Sequence, residues 1–183
     1  MQLIILSAGK GSRLPSKFRN KPKCLVELNS KPLLLYNNNF FKLFKKKIIV
    51  SGYRKFYLKK LSKKLGFINI VNKRYATTNM VYSLFLTKKK VNSDVVIVYG
   101  DVIFDPNIYK LLKKSQNLIP VNINWLNNWK KRMSAKNILN DAENLTIKKD
   151  GKLNEIGNKI DKKKMPKYQF MGIIKIKKKS FDN

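Results

Sequence analysis

The stretch Ser7-Ala8-Gly9-Lys10-Gly11-Ser12-Arg13, with Lys23 ten residues further on, holds the residue types that grip a polyphosphate. Small residues let a backbone turn tightly and come close to a ligand, and the N–H groups of such a turn can face phosphate oxygens. Arg13 and Lys23 add positive charge on either side of a polar segment that contains Pro15 and Pro22. The spacing is neither of the two common phosphate loops. No run of Gly, four residues and Gly-Lys-Ser/Thr occurs, and the third glycine of the dinucleotide fingerprint would fall at Leu14.

Asp101 is the sharpest acid. It follows the apolar run Val95 to Tyr99 and Gly100, so it sits where a buried strand ends. A carboxylate there is placed to hold Mg²⁺, which takes one or two carboxylates and completes its shell with phosphate oxygens and water. Asp105 is more ambiguous: it precedes Pro106 and reads either as a further acid at the same strand end or as the cap of the next helix. Asn79 and Ser83 share one helix face at i, i+4 spacing and can face the same crevice. Glu155 with Lys159 forms a second acid–base pair, whose plain alternative is a surface ion pair of little energetic worth. Trp129 and Tyr168 can pack on a substrate, including a cation, or simply on the core.

These residues need a scaffold, and the hydrophobic pattern predicts one. Leu3 to Leu6 reads as a buried first strand. Cys24 to Leu28 is strand-like, and a first helix is expected after Lys31-Pro32, carrying Leu33, Leu34, Tyr36, Phe40, Phe41 and Phe44. Ile48 to Val50 is the second strand, a basic amphipathic helix over Phe56 to Leu65 follows, and Gly66 stops it. Phe67 to Val71 is the third strand, Thr78 or Asn79 caps a helix reaching Leu86, and Val95 to Tyr99 is the fourth strand. A helix with Ile108, Leu111 and Leu112 comes next. This alternation predicts a doubly wound α/β fold with a mostly parallel sheet. Ligands of such sheets sit at the carboxyl ends of the strands, which puts the Gly-rich turn and Asp101 in one crevice.

The last third is less regular. Leu118 to Ile123 and the alternating Tyr168 to Ile176 read as strands, and Asp150-Gly151 reads as a hairpin turn between Leu145-Thr146-Ile147 and Leu153 to Ile156. A single domain over 1–183 is expected, with 1–115 as a nucleotide-binding half and 116–183 as a small β-rich acceptor-binding part.

Composition narrows the chemistry. The chain has no histidine, so Ser-His and Cys-His catalysis and His-ligated metals are excluded. Its one cysteine, Cys24, excludes an internal disulfide and argues against structural zinc. No apolar run reaches a membrane span and Met1 to Leu6 carries no basic leader, so a cytoplasmic protein without a membrane partner is expected. The net charge of +31 suggests nucleic acid, but only five of the 41 basic residues are arginine and the lysines are spread throughout. Specific nucleic-acid recognition is therefore not expected.

Taken together, the ordered pieces resemble the sugar-phosphate-type nucleotidyltransferases of the MobA-like NTP transferase group. They are most similar to the branch of CTP:phosphocholine and phosphonate cytidylyltransferases. The matching residues are AGKGSRL at 8–14, KPKCLVEL at 21–28, NMVYSL at 79–84, YGDVIF at 99–104, NWKKRM at 128–133, DAENLTI at 141–147, LNEIGNKI at 153–160 and YQFMGIIKI at 168–176. The resemblance implies a Rossmann-like fold and transfer of a nucleoside monophosphate from an NTP, CTP first, to a small phosphorylated or phosphonate acceptor. Uridylyl transfer to a sugar 1-phosphate is the alternative within the class. By the same resemblance Ser7, Ala8, Gly9, Lys10, Gly11 and Ser12 would cradle the nucleotide together with Asn79 and Ser83. Arg13, Lys23 and Lys159 would neutralise charge, Asp101 would bind Mg²⁺, and Tyr82, Trp129, Glu155, Lys159 and Tyr168 would face the acceptor. The family continues past its last strand with a helix and a second acidic ligand, whereas this sequence ends at Phe181-Asp182-Asn183. A truncated homologue that binds nucleotide without turnover is accordingly a further alternative.

Overall fold

The computed structural model describes residues 1–114, 116–160 and 165–182. The chain opens with β1 (Gln2–Ser7), a small hairpin of β2 (Glu27–Leu28) and β3 (Lys31–Pro32), and two single-turn helices, α1 (Leu33–Tyr36) and α2 (Asn38–Phe41). Then come β4 (Lys47–Ser51), α3 (Lys55–Lys64), β5 (Ile68–Val71), α4 (Met80–Phe85), β6 (Val95–Tyr99) and α5 (Ile108–Leu112). The remainder is β7 (Val121–Asn122), α6 (Trp125–Lys130), α7 (Ala135–Asp141), β8 (Glu143–Ile147), β9 (Leu153–Lys159), β10 (Gln169–Phe170), β11 (Ile173–Ile176) and α8 (Lys178–Asp182).

The elements form two compact units, Met1–Leu118 with Gly172–Asn183, and Ile119–Met171. The first unit is built on a five-stranded sheet in the order β11-β6-β1-β4-β5. β1 pairs in parallel with β4 and with β6, β4 with β5, and only β11 runs antiparallel at the edge. Chain order thus reverses direction at β1, which opens a crevice at its carboxyl end.

Side-chain alternation divides the core into two layers. Leu3 and Ile5 pack with Ile49, Val96 and Val98 under Phe40, Phe41, Phe44, Leu58 and Leu112. Ile4 packs with Ile48, Val50, Val95 and Ile97 under Val91, Phe181 and Leu84. Helices therefore cover both faces of the sheet, as the Rossmann-like expectation requires.

In the first half of the chain, two segments differ from the sequence reading. Pro22 enters a 3₁₀ turn at Lys23–Leu25 that buries Cys24 and Leu25, so of the strand expected over Cys24 to Leu28 only Glu27–Leu28 forms. The first helix breaks at Asn37, whose buried amide donates to Val102 O at 2.6 Å and accepts from Phe104 N at 3.4 Å. Asn37 thereby pins the loop that follows Asp101.

The second unit holds two antiparallel pairs, β7 with β10 and β8 with β9, the latter turning at Gly151 with φ 81°. Its core is Trp125, Ile138 and Ala142, with Trp129 and Met133 packed against them. The strand expected over Tyr168 to Ile176 is split at Gly172, which has φ 74°. The helix Ala135–Asp141, capped by Ser134, was not legible in the sequence.

Replacing Asn37 by Ala leaves Val102 O and Phe104 N without their partner. We expect a loss of roughly 1–3 kcal/mol, measured by urea unfolding.

Candidate active site

A cleft of about 450 Å³ lies in the first unit at the carboxyl ends of β1 and β6. Ser7, Ala8, Gly9, Lys10, Gly11, Ser12 and Arg13 form one wall and Lys23, Gly100 and Asp101 another. Tyr75, Thr78, Asn79, Met80 and Ser83 close the third side. The Gly-rich turn and Asp101 therefore share one crevice, as the topology predicted.

The central contact is an ion pair. Lys23 Nζ lies 2.5 Å from Asp101 Oδ2, with side chains 35% and 29% exposed. Each partner is held from behind. Gly11, at φ 65°, turns the loop through a bond from Leu14 N to its own carbonyl at 2.9 Å. A Cβ at Gly11 would come within 3.2 Å of Lys23 Cβ, so the lysine stem runs directly over the glycine. Gly100 donates its N–H to Leu6 O at 3.0 Å, joining the end of β6 to β1. A Cβ at Gly100 would meet Ser7 Oγ at 1.9 Å, so any side chain there would close the floor of the cleft.

Two supports come from residues the sequence did not single out. Tyr53 N donates to Ala8 O at 2.9 Å, and Tyr53 Oη donates to Arg19 O at 2.8 Å, fastening both ends of the loop. Gly52 packs so closely on Ala8 O and Tyr75 Cβ that an added Cβ would lie 2.6 Å from each. Asn72 is 1% exposed. Its amide donates to Thr78 Oγ1 at 3.0 Å and Ser83 Oγ at 2.9 Å, and its carbonyl accepts from Arg74 N at 2.8 Å. One buried amide thus fixes the third wall. Its only signal in the sequence is an asparagine directly after a strand, in a chain with many asparagines.

Asn79 and Ser83 line the cleft as expected, yet both are also structural. Asn79 Oδ1 accepts from Tyr82 N and caps α4, while Ser83 Oγ meets Asn72 and donates to Asn79 O. Tyr82 is not among the residues lining the cleft, and its ring lies under the Arg74 guanidinium at 5.6 Å. Asp105 accepts from Asn107 N in the turn before α5, and Asn107, not Asp105 as expected, holds the N-cap position.

Of the residues expected to face the acceptor, all but Tyr82 belong to the second unit. Glu155 on β9 takes the amides of Asn144, at 2.8 Å, and Asn158. Trp129 packs edge-on against Trp125 with centroids 5.2 Å apart, and Arg132 lies over its outer face. Lys167 Nζ lies 5.4 Å from the Tyr168 ring. Lys159 contributes backbone to β9 opposite Glu143, and its side chain lies outside the described residues. Asp182 is ion-paired with Lys178 within α8, one turn away.

Cys24 lines the floor beside Ser7, whose hydroxyl has no hydrogen-bond partner among the described residues. Burial, with the Asp101 carboxylate adding to it, pushes the Cys24 thiol up to about 12.

With one antiparallel edge strand on a parallel sheet and a cleft at the reversal of strand order, the molecule is a doubly wound, Rossmann-like α/β protein. Residues 3–130 match the MobA-like NTP transferase domain. A CTP:phosphoglutamine cytidylyltransferase of Campylobacter jejuni is 32% identical over 96% of this chain and 72% of its own. A choline-phosphate cytidylyltransferase of Streptococcus pneumoniae is 39% identical over 57% of this chain and 46% of its own. The solved structure of a CTP:phosphocholine cytidylyltransferase from Streptococcus pneumoniae superposes with a TM-score of 0.69 at 24% identity, over 99% of this chain and 72% of that one. That last likeness concerns the fold alone. The chain belongs to the MobA-like NTP transferases, a family of nucleotidyltransferases.

The raised thiol gives a prediction. Cys24 is neutral in the folded protein up to about pH 12, whereas an ordinary thiol ionises near 9. Its share of stability is complete below pH 9 and lost as pH climbs toward 12. At pH 8 iodoacetamide should modify native protein far more slowly than urea-unfolded protein, read by mass spectrometry, because the buried thiol is both neutral and shielded.

Proposed function

We propose that this chain is a Mg²⁺-dependent cytidylyltransferase that transfers CMP from CTP to a small phosphorylated acceptor. The observation that carries the reading is the Lys23–Asp101 pair facing the 7–13 loop across the cleft. The relatives that act on CTP support the choice of base.

In this reading an ionised oxygen of the acceptor attacks the α-phosphorus. The bond from that phosphorus to the oxygen bridging to the β-phosphate breaks, and pyrophosphate leaves with the electron pair. The nucleophile carries no proton at neutral pH, so the reaction needs no histidine base, and the chain has none. The work is alignment and charge neutralisation. Lys10, Arg13 and Lys23 would hold the triphosphate against the loop 7–12, with Asn79 and Ser83 forming the wall beside it. The acceptor would draw on Glu155, Lys159, Tyr168 and Trp129, and the neutral amides on Glu155 orient its carboxylate without neutralising it.

The donor set fits a hard cation shared with the substrate. Asp101 stands as a single carboxylate at the strand end, and the described residues contain no group of three or more His, Cys, Asp or Glu able to hold a metal. Mg²⁺ binds in this manner, through one or two carboxylates plus phosphate oxygens. Asp101 would hold it, and the ion would offset charge developing on the leaving phosphates. Among the described residues no helix is long and apolar enough to cross a membrane. In this reading the reaction takes place in the cytoplasm, where NTPs are available.

The test is pyrophosphate release with Mg²⁺, each NTP in turn, and a mixture of phosphocholine, 2-aminoethylphosphonate and sugar 1-phosphates. Release is expected with CTP, and Asp101→Ala and Lys23→Ala should each lower it by about a hundredfold or more. Release that does not depend on Asp101, or none with any NTP, would overturn the reading.

A further inference from the structure

Between Glu27 and Asp94 the sequence contains no carboxylate, yet it carries sixteen lysines and arginines. The helix α3 lies at the middle of this stretch. Its inner face is fixed by Leu58, fully buried, and Ser62, with Leu61 and Leu65 packed on the same core. At 3.6 residues per turn the opposite face carries Phe56, Lys59, Lys60, Lys63 and Lys64, all exposed. Phe56 stands at the centre of that face and is 76% exposed, more than any other large hydrophobic side chain described. Tyr57 beside it is 53% exposed.

We propose that the outer face of α3 docks this protein on an anionic lipid surface. The chemistry matches on two counts. A row of lysines with no acid among them is attracted to a negatively charged leaflet, and a protruding aromatic ring gains by entering the headgroup boundary. The shape argues against single-stranded nucleic acid, which is held in grooves, whereas this face is the outer surface of a helix. Phe56 lies in the first turn of α3, just after β4, so it stands at the same edge of the sheet as the cleft. Docking there keeps the cleft near the surface. The absence of an apolar span predicts no membrane partner from sequence, but a helix that lies on a surface needs no span. The proposal rests on α3 and not on the reaction proposed above.

The test is cosedimentation of the full chain with vesicles of phosphatidylcholine alone or with roughly one-third phosphatidylglycerol. Binding is expected to the anionic vesicles only and to fall with added salt. Phe56→Ala and the triple variant K59E/K60E/K63E should each weaken it, the triple by roughly tenfold or more. A charge-matched triple elsewhere, K89E/K130E/K136E, should keep most of the binding, and all variants should keep the wild-type melting temperature. A Phe56→Trp variant supplies a positive signal, a blue shift of its added fluorescence on anionic vesicles. The proposal fails if the wild type ignores anionic vesicles, if the matched triple loses as much as the α3 triple, or if the fluorescence of the Phe56→Trp variant does not shift. It also fails if the α3 variants lower affinity for a single-stranded oligonucleotide while vesicle binding is unchanged.

Discussion

The ion pair between Lys23 and Asp101 is the contact around which the cleft is arranged. It joins two segments that no sheet bond connects, the 3₁₀ turn after Pro22 and the end of β6. Its energy is modest, because both side chains are about one-third exposed and solvent screens them. Its consequence is positional. A lysine and a carboxylate are set side by side where two parallel strands end. A ligand that brings phosphate oxygens together with a hard cation offers each member of the pair a better partner than the other.

The surrounding structure serves that placement. Gly11 lets the lysine stem cross the loop at van der Waals distance, and Gly100 leaves room for Ser7 under the same floor. Asn37 and Asn72, both buried, tie down the loops on either side of the cleft with amide hydrogen bonds. Tyr53 fastens the 7–13 loop to the segment around Arg19. A cleft built this way is largely formed before any ligand arrives, which lowers the ordering cost of binding.

Much of this was legible in the residues. β1, β4 and β6 are short branched apolar runs, Gly66 and Gly151 sit at positive φ where the pattern called for stops and turns, and Asn79 caps α4. The Gly-rich turn and Asp101 meet because parallel topology leaves them no other edge. What the sequence hid has local physical causes. Pro22 overrode the strand-like Cys24 to Leu28, and Gly172 broke an alternating run because its αL turn sits against Val102 and Tyr99. The helix Ala135–Asp141 buries only Ile138, too little for a periodic signal. Asn37 and Asn72 look like any other asparagine until the fold shows which are buried, and burial is a property of tertiary packing.

The affinity for CTP with and without Mg²⁺, in the wild type and in Asp101→Ala, measured by titration calorimetry, shows directly whether Asp101 holds the metal–nucleotide pair. Mg²⁺ should tighten CTP binding in the wild type and the tightening should disappear in Asp101→Ala, while metal-free CTP still binds. Equal tightening by Mg²⁺ in both proteins would contradict this, because the carboxylate beside Lys23 would then have no part in holding the metal–nucleotide pair.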